Sequence, residues 1–231
     1  MISELRLKRE SFMKAFDKKG LADDIISTLK NMRVMFIHIG GSVGYGTFLP
    51  GRSDLDINVF VVGFHGAFKC NLPDGDAFIY GREMLKGRFD PNAHLSLYKK
   101  CFVDDFLSLP DTLVYLDEAY RKDYEDYMKT DIMRTLKGNI ANFLEYYRFL
   151  YNGASTLSKR FYHVFRVRGQ LENWRETGKY TLDLPKEWYE AEMEFKQAPD
   201  VLGKSSELIR RAGECLDEIE ETMEELPDGQ P

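Results

Sequence analysis

The residues best equipped for chemistry lie in one short stretch, Ile39–Ile57, which reads IGGSVGYGTFLPGRSDLDI. Asp54 and Asp56 stand two apart at the head of DLDINVFVV, 54–62, a run whose β-branched and aromatic content predicts a strand. Alternation along a strand puts both carboxylates on one face, ~7 Å apart, and turns Leu55 and Ile57 toward the core. Two carboxylates on one face repel each other unless a cation lies between them. Mg²⁺ takes oxygen ligands, commonly one or two carboxylates together with substrate phosphates. The pair therefore suits a metal–triphosphate site; a solvated strand edge is the plain alternative.

Gly40, Gly41 and Ser42 directly follow RVMFIHI, 33–39, which predicts a buried strand. Glycine lets the backbone approach a ligand closely, and successive N–H groups can form an anion-binding concavity. The Ser42 hydroxyl can meet a phosphate oxygen. If the two strands pair, phosphates held by this turn come within reach of metals held by the acids. A lone glycine turn carries little information; Gly-Gly-Ser after one strand with Asp-Leu-Asp opening the next carries much more.

This arrangement resembles the DNA polymerase β-type nucleotidyltransferase superfamily. Its pattern, an apolar residue, Gly-Gly/Ser, about nine to thirteen residues and then acid–apolar–acid–apolar, is met by Ile39-Gly40-Gly41-Ser42 and Asp54-Leu55-Asp56-Ile57. The resemblance implies a small mixed sheet with flanking helices. It also implies transfer of a nucleoside monophosphate from an NTP to a hydroxyl, with two Mg²⁺ (or Mn²⁺) held by carboxylates. Most members carry a third acid on a later strand. Asp76, opening DAFIY at 76–80, is the choice here; Asp74, inside the turn Pro73-Asp74-Gly75, is the alternative. On this footing Asp54, Asp56 and Asp76 are the expected metal ligands and catalytic groups, with Asp76 as a candidate general base. Gly40, Gly41, Ser42, Tyr45 and Lys159 are the expected nucleotide- and phosphate-binding residues.

A wider pattern, Ser42, Tyr45, Gly46, Thr47, Pro50, Ser53, Asp54 and Asp56, resembles a branch of predicted nucleotidyltransferases from bacteria and phages. Lys159-Arg160-Phe161-Tyr162-His163 and Leu184-Pro185 are similar to that branch's basic-aromatic helix and Leu-Pro element. Gly40 stands where the branch usually has His, and Val43 where it often has a basic residue, which leaves the acceptor substrate open.

Other polar residues read less distinctly. Lys159, His163 and Arg166 share a helical face, fit either to grip a triphosphate or RNA backbone or to lie solvated opposite Phe161, Val164 and Phe165. Tyr45 can stack on a base or pack within its own loop. His38, on the apolar strand, reads as a core histidine. The remaining histidines show no metal-ligand spacing.

The elements that must position these groups follow from the same text. Helices are predicted over 3–18, broken by Gly20, and over 21–32. Strands are predicted at 33–39, 54–62 and 76–80, with 63–75 as a loop. From about 121 the pattern is helical to Gly153, with Gly138 as a weak point. Another helix closes at Gly178, a Pro-bounded insert follows, and the last helix covers about 205–226. Its apolar face is Leu208, Ala212, Cys215, Leu216, Ile219 and Met223. The expectation is an α+β catalytic domain over 1–120 with the nucleotidyltransferase fold. A helical C-terminal domain over 121–231 would close over the substrate cleft.

Composition bounds the rest. The 231 residues are 43% hydrophobic and 13% aromatic, enough for a sizeable core, and the net charge of -6 excludes a generally basic nucleic-acid coat. Three scattered cysteines form no disulfide framework or metal spacing, which suits a reducing compartment. No apolar run reaches the ~18 residues of a membrane span, and the charged N-terminus does not read as a secretory signal. A cytoplasmic enzyme acting on an NTP, with an RNA end as one acceptor, is the leading expectation. Adenylylation of a small molecule or protein, and a catalytically inactive nucleotide- or RNA-binding relative, are the alternatives.

Overall fold

The computed structural model describes residues 10–72, 75–83, 85, 112–129, 133–152, 161–198 and 206–228. The chain divides into two compact units, one built on a sheet and the other helical.

The sheet unit holds five strands: β1 (Arg33–Ile39), β2 (Leu55–Val62), β3 (Ala67–Leu72), β4 (Gly75–Gly81) and β5 (Leu113–Leu116). Their order across the sheet is β3-β4-β2-β1-β5. β2 and β4 run parallel, and every other neighbouring pair is antiparallel. This is the mixed sheet with flanking helices that the α+β expectation called for.

The period-two pattern divides the sheet into two unlike faces. Ile37, Ile57, Val59, Val61, Ala77 and Ile79 form an aliphatic face packed with Ala22, Ile25 and Leu29 of helix α1 (Lys18–Thr28). Each such side chain, fully buried, is worth about 1.5–3 kcal/mol. The opposite face is aromatic. Phe36 stacks on Phe60 at 4.5 Å and Phe60 on Tyr80 at 5.2 Å between ring centroids. A one-turn helix, α2 (Gly41–Gly44), follows β1. Helix α3 (Arg121–Met128) brings Tyr124 and Tyr127 to 5.5 and 5.4 Å from the Phe36 ring. This helix therefore belongs to the sheet unit, which continues past residue 120.

Three local expectations change. Gly20 does not end a helix: it lies inside α1, because Asp17 caps the helix by accepting the Gly20 N–H at 2.9 Å. The stretch read as a loop at 63–75 contains β3, whose Phe68, Cys70 and Leu72 pack toward the aliphatic face while Lys69 and Asn71 are exposed. The helical text from 121 is two helices, with α3 ending at Met128 and α4 running Met133–Asn152, so Gly138 sits within a helix.

The helical unit adds α5 (Tyr162–Thr177), α6 (Lys186–Gln197, inside the Pro-bounded insert) and α7 (Ser206–Glu225). α5 packs on α6 and α7, and α7 also packs on α4. Gly178, at φ 70°, ends α5 as expected. Leu208, Ala212, Cys215, Leu216 and Ile219 form the buried face of α7, with Thr222 buried beside the half-exposed Met223. Cys70 and Cys215 are free thiols. Among the described residues, no helix is long and apolar enough to cross a membrane.

Glu192 is met by two cations inside the helical unit, Arg166 and Lys196, whose side chain is 8% exposed and whose ammonium lies 3.8 Å from Glu192 Oε1. The Arg166 guanidinium, 1% exposed, donates to both oxygens of Glu192, itself 0% exposed, at 2.6 and 3.3 Å. Replacing Glu192 takes the bidentate carboxylate from the buried Arg166 guanidinium, at a cost of about 3–5 kcal/mol. Glu192→Leu is expected to lower the urea midpoint sharply, and the double variant Arg166→Met/Glu192→Leu to recover most of that loss. A single variant that unfolds like the wild type would contradict the pair's role.

A second expectation concerns pH. His38 is fully buried, and desolvation pushes its imidazole down to about 3 from the ordinary 6.5. Below about pH 6.5 the unfolded chain takes up a proton that the folded chain refuses. The contribution is therefore complete above about pH 6.5 and is lost as the pH falls toward 3, with a slope of up to ~1.4 kcal/mol per pH unit. Urea unfolding between pH 7 and pH 5 is expected to show this slope in the wild type and to lose it in His38→Gln. An equal slope in both proteins would contradict it.

Candidate functional site: an acid pair beside a glycine turn

The parallel pairing of β2 with β4 places Asp56 directly opposite Asp76. Neighbouring strands lie ~4.8 Å apart, and paired residues project to the same side. Asp56 thus shares a face with Asn58 and Phe60, and Asp76 with Phe78 and Tyr80, so the two acids stand at the end of the aromatic face. Both are half-buried. Gly75 makes the close entry of β4 possible: a Cβ there would fall 2.0 Å from the Leu55 carbonyl oxygen.

The glycine turn closes on the same spot. β1 and β2 pair antiparallel as far as Ile39 and Ile57, and the next amide, Gly40 N–H, donates to the Asp56 carbonyl at 2.8 Å. Gly41 has φ 53°, a left-handed conformation that costs an L side chain about 1–2 kcal/mol. A Cβ on Gly41 would lie 1.9 Å from Asp56 Oδ2, so the carboxylate occupies the space that any side chain would take. Ser42 follows in α2, 6% exposed. The amides that open a helical turn have no acceptor within it and are natural donors to an anion.

The sequence did not single out the cation beside the pair. Lys69, on β3, lies opposite Phe78 and diagonal to Asp76. Its ammonium is 2.5 Å from Asp76 Oδ2 and 5.9 Å from the centre of the Phe78 ring. The signal that could have found it is the alternation Phe68-Lys69-Cys70-Asn71-Leu72, which marks an edge strand with Lys69 on the face of the acids.

The other expected residues distribute as follows. Asp54 is exposed and immediately precedes β2, two residues from Asp56. The structure pairs Asp56 with Asp76, but no three His, Cys, Asp or Glu side chains among the described residues are grouped to hold a metal ion. Tyr45 is 0% exposed, so it presents no free ring face to a base. Asp74 and Lys159 lie outside the described residues. Arg166 is neither solvated nor open to a phosphate, since Glu192 holds it inside the helical unit. His38 is a core residue, with Nδ1 3.4 Å from the Thr112 hydroxyl and its ring stacked on Tyr124 at 5.6 Å.

Carboxylate oxygens are the donor type that a divalent cation such as Mg²⁺ or Mn²⁺ takes. Asp56 and Asp76 supply hard carboxylate oxygens from one face of adjacent strands, and the missing Cβ of Gly41 gives the Asp56 carboxylate its place. Chemically, such a pair next to backbone donors can bind a cation and the phosphates it neutralises. In comparisons with known proteins, the chain matches no protein-family model and no curated protein sequence.

Proposed function

We propose that the chain is a metal-dependent nucleotidyltransferase that moves a nucleoside monophosphate from an NTP to a hydroxyl acceptor, an RNA end among them. The observation that carries this reading is the meeting of three features at one end of the sheet. Asp56 and Asp76 face the same way in register, and Gly41 is pressed against the Asp56 carboxylate. The resemblance of Ile39–Ser42 and Asp54–Ile57 to the polymerase β-type pattern supports the same reading.

In this mechanism Asp56 and Asp76, with Asp54 at the mouth of β2, would hold the divalent cations that carry the triphosphate. When bound, those cations neutralise phosphate charge and lower the pKa of an acceptor hydroxyl. Gly41 and Ser42 orient the phosphates through backbone N–H groups and the Ser42 hydroxyl, on a turn that the Gly40 N–H ties to the Asp56 carbonyl. The acceptor oxygen forms a bond to the α-phosphorus as the bond to pyrophosphate breaks. The proton leaving the hydroxyl would pass to a carboxylate, for which Asp76 is the candidate general base.

A second reading rests on Lys69. An ammonium on Asp76 can stand in for a cation, as it would in a nucleotide- or RNA-binding protein that keeps the fold and lacks turnover. Pyrophosphate release separates the two readings.

The test is incubation with each α-labelled NTP, Mg²⁺ or Mn²⁺, and total cellular RNA, a panel of small hydroxyl compounds or a protein acceptor. The wild type is expected to transfer label, and Asp56→Asn to reduce transfer by about a hundredfold or more, since the metal supplies most of the charge stabilisation. Undiminished transfer by Asp56→Asn would overturn the assignment. Gly41→Ala is expected to impair transfer as severely, because the added Cβ displaces the Asp56 carboxylate. A fully active, normally folded Gly41→Ala protein would contradict that geometry.

A further inference from the structure

The geometry points to Lys69 as an internal counter-cation that competes with the divalent metal for Asp76 and so sets the metal concentration at which the site fills. This inference rests on the nucleotidyltransferase reading of the acid pair.

Four observations carry it. First, the Lys69 ammonium touches Asp76 Oδ2 at 2.5 Å. Second, the contact follows from register: Asn71 is the residue opposite Asp76, and Lys69 reaches it diagonally, from the position opposite Phe78. Third, Lys69 is placed to serve as an exchangeable partner. Its side chain is 34% exposed and that of Asp76 23%, so the ammonium can leave for water without stranding a buried charge. Fourth, the alternation of β3 keeps Lys69 and Asn71 off the aliphatic face, where Phe68, Cys70 and Leu72 pack. The lysine stem is therefore not required to hold the strand in place.

The consequence is electrostatic. Asp56 and Asp76 are like charges on adjacent strands, and without a metal the Lys69 ammonium offsets their repulsion. When a divalent cation enters, Asp76 gives up the ammonium and takes the metal. The displaced positive charge remains within several ångströms, on the same face. Both the lost ion pair and the residual repulsion weaken metal binding. At a separation of ~6 Å, in surroundings close to water, the repulsion between a divalent and a monovalent cation amounts to about a tenfold change in affinity.

The test is Mn²⁺ binding to the full chain in the absence of nucleotide, followed by the loss of the free-ion electron paramagnetic resonance signal. Wild type, Lys69→Met, Lys69→Arg and Asp56→Asn/Asp76→Asn would be compared, with circular dichroism confirming that each is folded. Lys69→Met is expected to bind Mn²⁺ about tenfold more tightly than wild type, and Lys69→Arg to remain within about twofold of wild type. The gap between wild type and Lys69→Met is expected to narrow at high salt, where partly exposed charges are screened. Equal or weaker Mn²⁺ binding by folded Lys69→Met, with the doubly substituted protein not binding, would overturn the role of Lys69 and leave the acid pair standing as a metal site. Binding that survives in Asp56→Asn/Asp76→Asn, or that is absent from every protein, would overturn the metal site and this inference with it.

Discussion

Two carboxylates brought side by side by a parallel strand pair are the constraint around which the sheet unit is arranged. The register of β2 with β4 leaves Asp56 no alternative to facing Asp76. Like charges at that spacing are unfavourable unless something positive or hydrogen-bonding answers them. The edge strand provides one such answer. Lys69 reaches across from the edge strand to Asp76, and the glycine turn after β1 closes over Asp56 with no side chain in the way. A sheet does not gain stability from placing two acids together, so the arrangement is best understood through what the acids bind.

The two faces of the sheet explain how such a site can be rigid. The aliphatic face of β1, β2 and β4 is covered by α1 and carries the hydrophobic burial. The aromatic face is packed by Tyr124 and Tyr127 of α3 against Phe36, and stacking continues through Phe60 to Tyr80. The acids sit where this aromatic layer ends, on strands whose other side chains are tightly packed. Their backbone positions are therefore fixed by the core, while both residues remain partly exposed. The buried, neutral His38 belongs to the same layer, on the strand that leads into the glycine turn.

Much of this was legible in the residues. RVMFIHI became β1 with the predicted ends, and the strands containing Asp56 and Asp76 lie where alternation placed them. The short turn at Gly41–Gly44 follows from its glycines. What was not legible depends on partners distant along the chain. Parallel pairing of β2 with β4 could not be read from either strand alone. β3 was hidden because its alternation is short and turn-forming residues, Gly66 before it and Pro73-Asp74-Gly75 after it, made the whole stretch read as a loop, and with β3 went the ion pair of Lys69. Helix propensity alone gave no reason to bury Arg166; its partner Glu192 is 26 residues away, on another helix. For Tyr45 the residue type left open a ring stacked on a base or one packed within its own loop, and the structure buries it.

The most direct measurement is the anomalous scattering of Mn²⁺ in crystals of the chain grown with a non-hydrolysable NTP analogue. A peak bridging the carboxylates of Asp56 and Asp76, with phosphate oxygens against Gly40–Ser42 and the Lys69 ammonium withdrawn from Asp76, is the expected result. Nucleotide and metal bound elsewhere, with the ammonium still seated on Asp76, would contradict the account.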